Sequence, residues 1–333
     1  MKEFIQNMPK AELQVHIEGT LEPELLFELA KRNKVELPYA TLEDAKKAMP
    51  YQNLPSFLVS YYANLKVLLT EQDFYDLTLA YLEKAASQNI RHTEISFDAQ
   101  AHLNRGISLS TVMVGMHRAM QDAEQKCKIS SGLILCFMRD LSEDDAQKVL
   151  LEALEFKDWI MAIGLDSSEM NNPPEKFKNV FDRAREYGFL TVAAAGEVGP
   201  AEYIWQAIDV LHVSRIDYGI HCVEDPDLMS RLVMKKIPIS VCPVSNVKLG
   251  IIKSMQKHPL KKMLEEGLCV TINSDDPAYF HAYLNENFLA AQAGLSFHKD
   301  EIYEMARNAF LSSFLDNDKK EKYLLELDHY YNQ

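Results

Sequence analysis

Paired cysteines, positive charge and long apolar runs are all scarce in this sequence. The five cysteines, Cys127, Cys136, Cys222, Cys242 and Cys269, are scattered and form no CxxC pair. An odd, dispersed set excludes a disulfide framework and a four-cysteine metal site, so reduced thiols are expected. Lys and Arg number 35 against 49 Asp and Glu, a formal net charge of −14. Binding a polyanion depends on basic side chains displacing counterions, so nucleic acid is excluded as the main partner, although a single base or nucleotide is not. No stretch of about 18 apolar residues occurs, and residues 1–10 lack the apolar core of a secretory signal. A soluble, cytoplasmic protein with no membrane partner is expected. No low-complexity tract, internal repeat or linker marks a boundary, so residues 1–333 read as one domain.

What is present is a 47% hydrophobic chain in which short apolar runs alternate with helical-period segments. The runs lie at 13–17, 90–97, 132–137, 161–165, 189–194, 213–217, 237–241 and 268–273. Amphipathic segments fall at 21–32, 71–88, 109–126, 143–156, 175–188, 201–211 and 259–266. Near-continuous apolar runs are the mark of parallel strands buried on both faces. Eight such units predict an α/β fold, a closed (β/α)8 TIM barrel. The insertion at 34–66 holds Pro38, Pro50, Pro55, Tyr61 and Tyr62, and is too long for a simple connector. It is expected to be a helical lid over the barrel mouth.

Polar residues cluster just after the runs: His16 and Glu18, Asp98, Arg139 and Asp140, residues 166–169, Glu197, Asp217 with Tyr218 and His221, Ser245 and Asn246, and residues 274–276. In a barrel these positions share the C-terminal face, where loops converge on one pocket. Polar residues also end strands simply because they meet solvent, and that reading fits any one of them better than the whole set. His92, His212, His258, His298 and His329 read as solvated or structural, the 14 methionines as core filler, and residues 316–326 as a solvated C-terminal helix face.

At the strand ends the chain resembles the adenosine and adenine deaminases, nearest to the microbial adenine deaminase branch of that amidohydrolase family. The resemblance rests on Pro9-Lys-Ala-Glu-Leu-Gln-Val-His-Ile-Glu-Gly-Thr20, Gly164-Leu-Asp-Ser-Ser-Glu169, Ala195-Gly-Glu197, Arg215-Ile-Asp-Tyr-Gly219, Val241-Cys-Pro-Val-Ser-Asn246 and Asn273-Ser-Asp-Asp-Pro277. It implies zinc held by a His-x-His pair, a His before Ala-Gly-Glu and the first Asp of Ser-Asp-Asp. Those positions here are Gln14, His16, Ala194 and Asp275, and the family His before Gly219 is Tyr218. The resemblance also implies that Glu197 protonates a ring nitrogen, that Gly196 donates beside the base, and that Asp276 contacts the imidazole part of a purine.

A catalytic zinc needs three protein ligands and an open position. His16 and Asp275 are good ligands, Gln14 is a poor one, and Ala194 is none. Without the metal, hydroxide at neutral pH is lost. The expectation is therefore a pocket with no metal cofactor, in which Glu197, Tyr218, Asp275 and His16 serve as acids and bases. Asp275 beside Asp276 becomes a candidate proton donor. Gln14, Gly196, Asp276, Ser167 and His221 are the candidate substrate contacts, and the substrate expected is a purine-like or other amino-bearing heterocycle. Two other readings stay open. One is a zinc-dependent adenine or adenosine deaminase whose site is either rearranged, with His221 or Cys222 as replacement ligand, or carries mutated ligands. The other is a silent homologue that binds without turnover. A homodimer is compatible with each.

Overall fold

The computed structural model describes residues 1–47 and 53–333. Eight strands, β1 (Lys10–His16), β2 (Ile90–Asp98), β3 (Ser130–Met138), β4 (Ile160–Asp166), β5 (Leu190–Ala195), β6 (Arg215–Tyr218), β7 (Ile239–Val241) and β8 (Val270–Ile272), are hydrogen-bonded in sequence order. Every pairing is parallel. Across the seam, the His16 N–H donates to the Asp275 carbonyl at 3.0 Å, the Asp275 N–H to the Gln14 carbonyl at 3.2 Å, and the Leu13 N–H to Asn273 Oδ1 at 2.7 Å. The sheet thus joins on itself as the (β/α)8 barrel that the alternating pattern predicts.

The apolar runs locate all eight strands, but β7 and β8 are shorter than their runs. Ile237, Leu268 and Asn273 belong to the connections, and Asn273 spends its side chain on the seam. Between strands the helices start where the sequence provides caps. Thr70 and Asp73 form a reciprocal capping box ahead of Glu71–Ser87, and Ser108, Ser142 and Asp225 each accept a hydrogen bond from the first turn of their helix. Three helices, Leu284–Leu295, Lys299–Ser312 and Asn317–Tyr331, complete the chain; the 316–326 stretch is indeed helical.

Within 34–66 the described residues include two helices, Leu42–Lys47 and Leu54–Asn64. Pro50 lies outside the described residues. Pro55 stands in the first turn of the second helix, where its missing N–H costs nothing, and an Asn53–Ser56 capping box fixes the start.

Several charges are wholly buried. Arg215 donates through Nη1 to Glu94 Oε2 at 2.6 Å and through Nη2 to the Leu13 carbonyl at 2.9 Å. Lys10, also fully buried, donates through Nζ to the carbonyls of Ile5 at 2.8 Å and Met8 at 2.6 Å. Burial, and secondarily the charge of Arg91, lowers the Lys10 ammonium to about 7. The unfolded chain therefore binds this proton more tightly, and stability should rise as pH climbs from 7 toward the unfolded value. Relative to Lys10→Met, the native protein should gain roughly 2–3 kcal/mol between about pH 7 and 9.5. Urea unfolding of both proteins across that range checks it, and parallel curves would mean an ordinary lysine.

Candidate active site

The strand ends at the C-terminal face deliver one side chain after another into a shared cavity. His16 comes from β1, Asp98 from β2, Asp166 and Ser167 from β4, Ala194 from β5 with Glu197 just beyond it, Tyr218 from β6, and Asp275 and Asp276 follow β8. Leu54, Phe57, Leu58, Tyr61 and Tyr62, all from the helix Leu54–Asn64, line another side. Ser167, Tyr218 and Asp275 have φ of 70°, 69° and 66°. Non-glycine residues held in that region cost about 1–3 kcal/mol each, which the surroundings must impose. Gly19 is required for a different reason: a Cβ there would lie 2.1 Å from Asp276 Oδ1.

Asp275 accepts from the Tyr218 hydroxyl at 2.8 Å through Oδ1 and from Ser245 Oγ at 2.6 Å through Oδ2. His16 Nε2 stands 3.8 Å from Asp275 Oδ1, while its Nδ1 is 3.6 Å from Asp166 Oδ2 and 4.0 Å from Asp98 Oδ1. His16, Asp98 and Asp166 thereby bring one potential metal-donor atom each within 4.8 Å of one another. Gln14 lies on the same face of β1 as His16, two residues earlier, and does not itself line the cavity. Its Oε1 lies 2.8 Å from the Ser240 hydroxyl, and its buried Nε2 has no hydrogen-bond partner. Ala194 presents only a methyl group to the cavity.

Glu197 is set by two supports. Glu169, from the loop after β4, accepts four backbone N–H groups: Gly196 at 2.6 Å, Glu197 at 3.0 Å, and Val198 and Gly199 at 2.8 Å each. This clamp fixes the loop that carries Glu197. On the side chain, a relay begins at the Leu260 N–H, which donates to His258 Nδ1 at 3.1 Å. That bond assigns the proton to His258 Nε2, which donates to Asn246 Oδ1 at 3.1 Å, and Asn246 Nδ2 donates to Glu197 Oε1 at 3.1 Å. Burial lowers the His258 imidazole to about 4, so the neutral ring is the form that holds this relay.

Burial first, then the charges of Asp275 and Glu169, push the Glu197 carboxyl well above its ordinary range. Asp276 is raised by burial and by Asp275 and Asp98, Asp166 by burial and by Asp98, and Asp98 by burial and by Glu18. Crowding of carboxylates in a dry pocket favours protonated acids. Burial also raises the Tyr218 phenol well above its usual value, which keeps it a donor.

His16, Ser167, Glu197, Tyr218, Asp275 and Asp276 are thus brought together. His221 is not: it lies on the short 3-10 turn Ile220–Glu224, away from the cavity, with Nδ1 2.9 Å from Glu224 Oε1. Cys222 is fully buried among apolar neighbours, and burial pushes its thiol up to about 12. Neither is placed to rebuild a metal site. Gly196 has already given its N–H to Glu169 and has none to offer a base. His258, read from the sequence as a bystander, instead orients Asn246 against Glu197.

Glu169→Gln should destabilise the protein by about 2–4 kcal/mol, because an amide nitrogen then opposes N–H donors that have no other acceptor. A urea midpoint within error of the native value would mean that the clamp contributes nothing to stability.

The sequence profile of the adenosine deaminase family matches residues 9–330. An adenine deaminase from Chlorobium phaeobacteroides is 54% identical over 324 residues, covering 97% of each chain. One from Acinetobacter baylyi is 51% identical over 98% of each. Among solved structures, the adenine deaminase of Arthrobacter aurescens superposes with a TM-score of 0.96 at 48% identity, covering 98% of this chain and 100% of the other. An amidohydrolase from Burkholderia ambifaria with bound zinc superposes with a TM-score of 0.92 at 26% identity, covering 99% and 93%. Profile, sequence relatives and barrel agree over nearly the whole length, and the chain belongs to the adenosine deaminase family.

Proposed function

We propose that this family member acts on a purine-like or other amino-bearing heterocycle by proton transfer, without zinc at the position that the family resemblance implies. The observation that carries the reading is the donor set. Gln14 turns its amide oxygen to Ser240, Ala194 has no donor, and both oxygens of Asp275 accept from Tyr218 and Ser245. Only the Nε2 of His16 is left uncommitted at that point, whereas zinc takes three or four ligands. The residues present do not fit the ion, and no step is routed through it.

What remains is acid–base machinery. Glu197, held toward its protonated form, offers a proton to a ring nitrogen. Tyr218 donates to Asp275 and fixes that carboxylate beside His16. His16 has an acidic group facing each ring nitrogen, an arrangement suited to accepting a proton from water or substrate. Positioned acids and bases of this kind contribute about 10²–10⁴-fold. The apolar and aromatic side chains of Leu54–Asn64 offer a flat ring a surface to pack on.

The test pairs elemental analysis of the purified protein with a binding and turnover screen of purine bases, nucleosides and aminated heterocycles. Expected are zinc far below one ion per chain and a ring compound bound at this cavity, with any turnover insensitive to chelator. Stoichiometric zinc, with adenine deamination lost on chelation, would return the protein to the hydrolytic chemistry of its relatives' name.

A further inference from the structure

Asp166 is 5% exposed, and its carboxylate has beside it only the Asp98 carboxyl and the Cys136 thiol, with no strong donor. Oδ1 of Asp98 and Oδ1 of Asp276 are likewise buried without one. All three residues line the cavity, which contains six carboxylates and, among the described residues, no Lys or Arg. The other three acids are provided for: Glu169 by its four N–H donors, Asp275 by two hydroxyls and Glu197 by Asn246. The buried guanidinium of Arg139 is directed to the carbonyls of Asn172 and Ala194. A buried carboxylate whose nearest partner is a second carboxyl is strongly disfavoured unless the pair takes up a proton or meets a cation.

We propose that the cavity binds an organic cation, a flat nitrogen-bearing molecule whose amidinium-like or protonated edge meets Asp98 and Asp166 while Tyr61, Tyr62 and Phe57 cover its ring. The inference rests on the zinc-free reading of the site and names its substrate class. Two arguments favour an organic cation over a small ion such as zinc or magnesium. Bonds of about 2.1 Å to such an ion draw donors to roughly 3–3.5 Å of one another, and the His16 Nδ1 contacts, at 3.6 and 4.0 Å, are wider. The second oxygen of Asp98 is already taken by the Tyr62 hydroxyl at 3.0 Å. The aromatic wall also suits a ring. Tyr61 packs against Phe57 and Tyr62 with centroids 5.3 and 5.1 Å apart. Aromatic faces attract organic cations, and they stack on flat ones. A carbon bonded to a cationic nitrogen is already electrophilic, which lessens the need for a metal-bound hydroxide.

Calorimetric titration with benzamidinium, its neutral near-isostere benzamide, and adenine tests this, in about 0.3 M salt to screen surface attraction. Benzamidinium should bind at least about tenfold more tightly than benzamide, or ~1.4 kcal/mol. Asp166→Asn should abolish the preference, and Asp98→Asn, which keeps a partner for Tyr62, should reduce it should the first variant fail to fold. Equal affinity for the charged and neutral probes overturns the proposal, as does a preference that survives in a folded variant. Tight adenine binding without any cation preference overturns it while leaving the proposed function standing. Stoichiometric divalent metal at His16, Asp98 and Asp166 overturns both.

Discussion

Placing histidine at three positions together, Gln14→His, Ala194→His and Tyr218→His, should turn this protein into a zinc protein that deaminates adenine. Position 14 lies two residues before His16 on β1, so both side chains project from the same face of the strand. Ala194 already faces the cavity, and an imidazole there extends toward His16 and Asp275. Three imidazoles and one carboxylate would then converge, while water takes the open position. Support for the new ligand at 14 is in place, because the Ser240 hydroxyl that now meets the Gln14 amide stands ready to accept an imidazole N–H. The replacement also removes the partnerless Gln14 Nε2. Loss of Tyr218 frees one oxygen of Asp275 for the ion. Zinc affinity should rise on the order of 10⁴-fold or more, about 5.6 kcal/mol. Competition against a chromophoric chelator measures it, and ammonia release from adenine reads the activity. A folded triple variant that still takes up no zinc would mean that something other than ligand identity keeps the metal out.

How much of this was visible in the sequence depends on where each residue's partner lies. The barrel was legible because parallel strands buried on both faces leave continuous apolar runs, as in Ser130–Met138 and Ile160–Asp166. The gathering of His16, Glu197, Tyr218, Asp275 and Asp276 was legible from strand-end position together with family motifs. Roles that depend on local geometry were not. His221 follows Tyr218 by only three residues, but Gly219, with φ 60°, starts a 3-10 turn that carries it away from the cavity. Glu169 sits in a motif that could be recognised, yet its task is to accept backbone N–H groups, and nothing in residue identity signals that. His258 reaches Glu197 only through Asn246, from a connection distant in sequence. That Asp166 meets the Asp98 carboxyl and no cation is a property of three dimensions alone, although its place at the end of a strand marked it as pocket-lining.

Glu197→Gln should lower turnover of whichever compound the screen identifies by about 10²–10⁴-fold while changing its affinity only a few-fold. The two side chains are nearly the same shape. A glutamine carbonyl can still accept from Asn246, so the relay from His258 survives. What it lacks is a proton that can be given and recovered. The stability effect should have the opposite sign. Glu197 titrates higher in the folded protein than in the unfolded chain, so the folded state holds its proton more tightly. As pH rises above the ordinary glutamate value, about 4.3, the native protein loses stability through this group until the folded-state value is passed. The glutamine variant is spared that loss, and its advantage should grow across the same interval and then level off. For the native enzyme, the rate should fall on the alkaline side as the acid form of Glu197 is depleted, and no such limb should appear in the variant's residual rate. Urea unfolding at several pH values, alongside rates, separates the possibilities. A variant that is less active and less stable would make Glu197 a structural carboxylate, whereas lost rate with gained stability is what a buried, strained acid retained for its chemistry produces.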